Sequence, residues 1–377
     1  GVATGKRSRQ RAMVAAMAVA GALAAAAGTL VGISIAGGTS SHHNGRTTTA
    51  SSSDALNAKL NRARSGPQYS VRSTVTVGHE PLGVAVADGT VWVANSPLSG
   101  NHPNGTVSRI NAATGTVIGR PIPVPNGPFQ IAAGNGSVWV TTLDGQVTRI
   151  NATTGAVVGH PILEYQQTGE IDTIDVADGT VWVANSPLSG ERTVSRINAS
   201  TGALIGHPIP LGSQPSTALN DGITVADRTV WVVTAPPTGR GTVSRINATT
   251  GSVIGDPIPV GDNGPPEYPV IAETNGTVWV TNSADNTVSR INATTGTVVG
   301  HPIPVGGAPS AIAVGNGSVW VTNSADNTVS VINATTGTVV GHPIPVGHDP
   351  DAIAVSDGSV WVANDQDNTV SAIPTAG

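Results

Sequence analysis

Pro309-Ser310-Ala311-Ile312-Ala313-Val314 is a short β-rich run, Gly315-Asn316-Gly317 turns the chain, and Ser318-Val319-Trp320-Val321-Thr322-Asn323 runs back. Ser324-Ala325-Asp326-Asn327 turns it again into Thr328-Val329-Ser330-Val331-Ile332-Asn333. Ala334-Thr335-Thr336-Gly337 then leads to Thr338-Val339-Val340-Gly341-His342-Pro343-Ile344-Pro345-Val346-Gly347. Asn-Gly between short β-formers is a hairpin signal, because both central residues of such a turn take positive φ. The pattern predicts four strands joined by three turns. The second strand is apolar throughout, so both of its faces must be covered. The fourth carries Pro343 and Pro345, which cannot donate to a ladder and belong on an edge, where they also discourage aggregation.

The unit recurs on both sides of this stretch. Every tryptophan falls at one place in it: Trp92, Trp139, Trp182, Trp231, Trp279, Trp320 and Trp361, at spacings of 47, 43, 49, 48, 41 and 41. Asp-Gly or Asn-Gly precedes six of them, and the fourth unit has Asp227-Arg228 instead. Seven four-stranded units, with no helix signal after the first forty residues, predict an all-β, seven-bladed β-propeller. The tryptophan is expected to pack between neighbouring blades.

Closure is also legible. The last unit stops after three strands (350–355, 359–364 and 369–373), whereas Val71-Arg72-Ser73-Thr74-Val75-Thr76-Val77 is a fourth strand with no preceding three. The N-terminal strand is therefore expected to complete the last blade. Units 278–306 and 319–347 differ at one position, Arg290 against Val331, so local individuality must lie in the connections.

Ahead of the repeats lie three segments. Residues 1–11 are a basic start with Lys6, Arg7, Arg9 and Arg11, predicted cytoplasmic. Residues 12–38 are an uncharged Ala-, Val- and Gly-rich run longer than the roughly 20 residues that cross a bilayer. It reads as an N-terminal apolar helix, either a retained single-span anchor or an export signal with Ser34-Ile35-Ala36 as the cleavage site. Residues 39–70 read as a flexible extracytoplasmic stalk rich in Ser, Thr, Asn and Gly. The propeller takes residues 71–377. A cytoplasmic domain ahead of Lys6 would make the propeller the sensor end of a receptor.

Composition removes several chemistries. With no cysteine there are no disulfides, thiolate nucleophiles or thiolate metal sites. Residues 1–71 carry a net charge of +7 and residues 72–377 a net of −12. The acidic sign argues against a nucleic-acid partner. No phosphate-binding loop, HExxH motif or nucleophile elbow occurs.

Val-Trp-Val-Thr-Asn at 278–282 and 319–323, followed by Asn-Thr-Val-Ser, Ile-Asn and Thr-Gly, resembles the YVTN family of β-propeller repeats. The chain also looks like the seven-bladed propellers grouped with streptogramin B lyases. That resemblance implies the propeller fold over residues 71–373. For activity it implies metal-assisted ring opening with histidines and a glutamate near one mouth. Most later histidines instead occupy one repeated slot (His160, His207, His301, His342) that holds Arg120 and Asp256 in other blades, which reads as solvated surface.

The loops entering the inner strands are unequal and acidic. They supply the ligand-binding candidates His79, Glu80, Glu170, Asp172, Glu267, Tyr268, His348 and Asp351. Their negative potential around a central channel favours a cation, a cationic small molecule or a basic protein surface. A metal would need several convergent carboxylates, and no cofactor is specified. The expectation from these observations is a non-enzymatic, membrane-tethered extracytoplasmic propeller that binds or scaffolds a small molecule, glycan or protein. The alternatives are a metal-assisted lyase and a receptor sensor domain.

Overall fold

The structure, a computed structural model, describes residues 69–97, 104–163, 169–187, 192–211, 219–236, 239–262, 269–356 and 358–375. The basic start, the apolar run and nearly all of the linker therefore lie outside the described residues. Seven antiparallel sheets follow one another along the chain. Blade 6, for example, is built from Pro309–Gly315, Ser318–Asn323, Thr328–Asn333 and Ile344–Pro345. Among the described residues there is no helix, and so none long and apolar enough to cross a membrane.

The turns joining first and second strands are those the sequence predicted. Asp88, Asn135, Asp178, Asn275 and Asn316 have φ of 48° to 52°, each followed by a glycine of positive φ. In the fourth unit Arg228 takes the glycine's place at φ 60°. The turns between third and fourth strands are closed by asparagine side chains. Asn333 Oδ1 accepts the N–H groups of Thr335 and Thr336, and Asn151 does the same for Thr153 and Thr154. Here an Asn-x-Thr triplet is turn chemistry.

The fourth strand departs from expectation. It was read as one run, 338–347, but it divides: Val339 bridges to Ile332, and Ile344–Pro345 pairs separately with Thr328 and Val329. Between them Gly341 takes φ 69°, which breaks the extended backbone. Pro343 and Pro345 lie on the exposed outer edge.

The core lies between blades. All seven tryptophans are buried. Trp92 of blade 1 packs with Ile131, Val138 and Ile150 of blade 2, and the pattern continues around the ring. Trp361 of blade 7 packs with Val91, Val93 and Ile110 of blade 1, so the ring is sealed by core contacts as well as by hydrogen bonds. Each buried aliphatic side chain at such a junction contributes roughly 1.5–3 kcal/mol. A third-strand arginine covers the tryptophan in several blades, with the guanidinium 5.8 Å (Arg109), 5.2 Å (Arg149), 5.9 Å (Arg245) and 5.8 Å (Arg290) from the ring centroid. Arg149 also donates to the Ser200 carbonyl in the next blade at 2.8 Å.

The N-terminal strand completes blade 7, in the order Ser73–Thr76, Thr369–Pro374, Ser359–Asn364, Pro350–Ser356. Ser73 pairs with Ala372 and Thr76 with Thr369. The clasp also reaches blade 6, where Tyr69 sits edge-on to Trp320 with ring centroids 4.8 Å apart and planes at 70°. Tyr69 and Val71 pack on the cluster that holds Trp320 and Val331. This accounts for the one difference between the twin units. Blade 5 puts Arg290 over its tryptophan, whereas blade 6 has Val331 and its tryptophan receives Tyr69.

Candidate functional site at the blade 7 rim

Loops entering the inner strands and loops joining second to third strands emerge on one face, here the mouth face. Their backbone is fixed by a recurrent set of side-chain acceptors. At blade 7, Gly347 N–H donates to Asn364 Oδ1 at 3.0 Å, and Asn364 Nδ2 donates to Thr369 Oγ1 (3.0 Å) and Ser371 Oγ (2.9 Å). A Cβ on Gly347 would lie 2.6 Å from Asn364 Cγ and from Asp367 Oδ2, so no side chain fits there.

The turn Asp365-Gln366-Asp367-Asn368 is the hub of the site. Asp367 holds His348 twice: Oδ2 accepts the His348 backbone N–H at 2.8 Å, and Oδ1 lies 2.9 Å from Nδ1. The His348 side chain is 69% exposed and that of Asp367 36%. The His348 backbone N–H holds the Asp367 carboxyl below its ordinary value; partial burial opposes this, and the imidazole adds to the lowering. Next in sequence, half-buried Asp349 accepts from Gln366 Nε2 at 3.1 Å. Burial pushes its carboxyl above the ordinary value, and the Gln366 bond offsets part of that. Two carboxyls held by the same turn are thus shifted in opposite directions.

Asparagine side chains latch three of the entering loops across a blade junction. Asn286 Oδ1 accepts from Ala308 N–H (2.8 Å), Asn327 from Asp349 N–H (2.9 Å) and Asn368 from Glu80 N–H (2.9 Å). Both partners of each latch are left-handed, with φ of 51° to 56°. The loops entering blade 7 (His348, Asp349) and blade 1 (His79, Glu80) are therefore both tied to the 365–368 turn.

Of the candidates from the sequence, His79 is exposed beside half-buried Glu80, and half-buried Asp351 is the second residue of the inner strand Pro350–Ser356. The structure brings together the loops of His79, Glu80 and His348. Glu170 and Asp172 lie on the inner strand Gly169–Ala177, whose pairing slips between Ile171 and Thr173. Glu267 and Tyr268 lie outside the described residues. Sequence reasoning missed Gln366, Asp367 and Asn368. The signal was present: blades 5 and 6 read Ser-Ala-Asp-Asn where blade 7 reads Asp365-Gln366-Asp367-Asn368, and Gly307-Ala308 becomes His348-Asp349. The repeated histidine slot is exposed on the outer edge, as expected.

Among the described residues no three His, Asp or Glu side chains form a group that could hold a metal ion.

No family model matches the chain, and no curated protein matches it. Solved structures do match it in fold. Hydrazine synthase of Kuenenia stuttgartiensis has a TM-score of 0.65 and 14% identity, over 79% of this chain and 96% of that one. A streptogramin B lyase has a TM-score of 0.61 and 21% identity, over 81% and 96%. A catalytically inactive histidine-to-alanine variant of virginiamycin B lyase from Staphylococcus aureus, with quinupristin, has a TM-score of 0.64 and 18% identity, over 82% and 100%. At these identities the likeness establishes the seven-bladed propeller and nothing finer. The expectation of a non-enzymatic, membrane-tethered binding or scaffolding propeller is nevertheless corrected. What the likenesses support is a propeller fold shared with virginiamycin B lyase and hydrazine synthase.

Proposed function

We propose that the chain is a lyase-type acid–base catalyst working on the mouth face where blade 7 meets blade 1. The observation that carries this reading is the His348–Asp367 pair. In the tautomer with the proton on Nδ1, Asp367 accepts the hydrogen bond, which leaves the Nε2 lone pair to act as base. The ionised Asp367 stabilises the imidazolium that forms. Asp349 is the adjacent carboxyl, and the proton gained by Nε2 is the one available to a leaving atom. An elimination then balances: Nε2 removes a proton from the carbon beside a carbonyl, and the C–H electron pair becomes a C=C bond. The neighbouring bond to oxygen or nitrogen breaks with its electrons, and that atom is protonated. The acidic rim favours a cationic substrate, and the fold shared with a lyase that loses activity with one histidine supports the assignment. On the repeat residues we place the blades with YVTN-type repeats, and on the pattern of residues 6–38 we place the chain among exported proteins.

The test is incubation of the full chain with quinupristin, with and without a divalent salt, followed by chromatography and mass spectrometry. Ring opening by elimination leaves the mass unchanged, whereas hydrolysis adds one water. His348→Ala should slow the reaction by about 100-fold or more. Quinupristin left intact by the wild-type chain, or full activity in the variant, overturns the assignment.

A further inference from the structure

We propose that Asn368 is the positioning residue of this site, transmitting the docking of the ring-closing strand to the His348–Asp367 pair. The inference rests on the reading of that pair as the working groups. Asn368 stands at the meeting point of three segments far apart in sequence. Its carbonyl accepts Val77 N–H at 3.0 Å, directly after the closing strand Ser73–Thr76. Its side chain accepts Glu80 N–H at 2.9 Å, across 288 residues of sequence. Its own N–H donates to Asp365 at 3.3 Å, and Asp365 N–H in turn donates to the Asp349 carbonyl at 2.9 Å. Asp367, the residue that grips His348, lies immediately before it. The closing strand therefore bonds to the residue beside the catalytic carboxylate, and that residue's side chain locks the next blade's loop.

The latch at the junction of blades 5 and 6 lacks this coupling. Asn286 accepts from Ala308 N–H in the same geometry, but the loop it holds carries Gly307 and Ala308, with no titratable side chain. Asn286 is thus a matched control. At φ 55° and 56°, both positions accept glycine without backbone strain, so Asn→Gly removes the acceptor and leaves the turn shape.

The experiment compares the full chain with Asn368→Gly, Asn286→Gly and Asn368→Asp. It reads the Asp367 carboxyl titration by carbon-detected NMR and amide exchange at His348. In Asn368→Gly the Asp367 midpoint should move up toward the ordinary carboxylate value. Exchange at the His348 amide should speed about 10-fold, the equivalent of one lost hydrogen bond. Asn286→Gly should lose comparable thermal stability and leave both readings unchanged. Asn368→Asp keeps the acceptor and should retain His348 protection. An unmoved Asp367 midpoint in Asn368→Gly, equal movement in Asn286→Gly, or lost protection in Asn368→Asp overturns the proposal. None of these readings uses turnover, so an inactive wild-type chain defeats the lyase assignment and leaves this one standing.

Discussion

Replacing Val331 by arginine would give blade 6 the residue that blade 5 carries at Arg290, yet it should destabilise the ring. In blade 5 the guanidinium lies 5.8 Å from the Trp279 centroid. In blade 6 Tyr69 meets Trp320 at 4.8 Å, and Val331 is buried beneath the same segment. An arginine there contests the position of Tyr69. Displacing Tyr69 forfeits about 1 kcal/mol of ring–ring attraction and roughly 1.5–2 kcal/mol of burial. The new cation–π contact returns about 0.5–1 kcal/mol. The net loss is about 2 kcal/mol, or a melting temperature lower by about 4 °C at roughly 2 °C per kcal/mol for a large domain. Tyr69→Ala alone should cost about the same. The double variant is the decisive measurement, by thermal unfolding monitored through tryptophan fluorescence. With Tyr69 gone the arginine is free to lie on Trp320, so the two changes together should cost little more than either alone, a coupling of about 2 kcal/mol. A Val331→Arg chain as stable as wild type, or strictly additive losses in the double variant, would refute the competition for Trp320.

Asp175 on the inner strand of blade 3 accepts the N–H of its neighbour Val176 (2.7 Å) and of Val225 in blade 4 (2.8 Å), so Asp175→Ala should cost about 1–3 kcal/mol by leaving those donors unmatched. Burial raises the Asp175 carboxyl, with the Val225, Val176 and Thr224 hydrogen bonds opposing. Its stabilising contribution is therefore full in acid and lost as pH rises through the raised value. Denaturant titrations should show wild type gaining on Asp175→Asn as pH falls. Asp367 has the opposite sign: its lowered carboxyl stabilises above the unfolded value, so any advantage over Asp367→Asn should fade as pH falls through the native one. Trp361 Nε1 donates to Ser356 Oγ at 3.3 Å, while the buried Trp92 Nε1 has no hydrogen-bond partner among the described residues and Ala87 stands at the matching position. Ala87→Ser should thus raise stability by about 1 kcal/mol, read as a melting shift.

The fold was legible because each blade repeats the same argument. Tryptophan spacing, Asp-Gly and Asn-Gly turns and edge prolines are local signals, and seven copies make them redundant. Even the closure could be read, since a three-stranded last unit and an orphan first strand need each other. The site was only half legible. His348 could be singled out by type, but its partner Asp367 resembles the structural aspartates Asp285 and Asp326 of blades 5 and 6, which clamp the backbone N–H groups of Asp262 and Gly307. What separates Asp367 is the imidazole that replaces a glycine across the turn, and that pairing depends on a contact 19 residues apart. The Arg290-to-Val331 difference was visible but had no cause until Tyr69 was placed.

The clasp also sets a timetable. Ser73–Thr76 leaves the ribosome first among the propeller's strands, yet its partner Thr369–Pro374 is the last of those strands to be made. Until the last blade is made the propeller has an unclaimed edge at each end, the kind of template that recruits neighbouring chains. The unfinished propeller has to be kept apart from its copies for that interval. A chain truncated before Thr369 never reaches the end of it, and it should be cleared by proteolysis rather than accumulate as a six-bladed remnant.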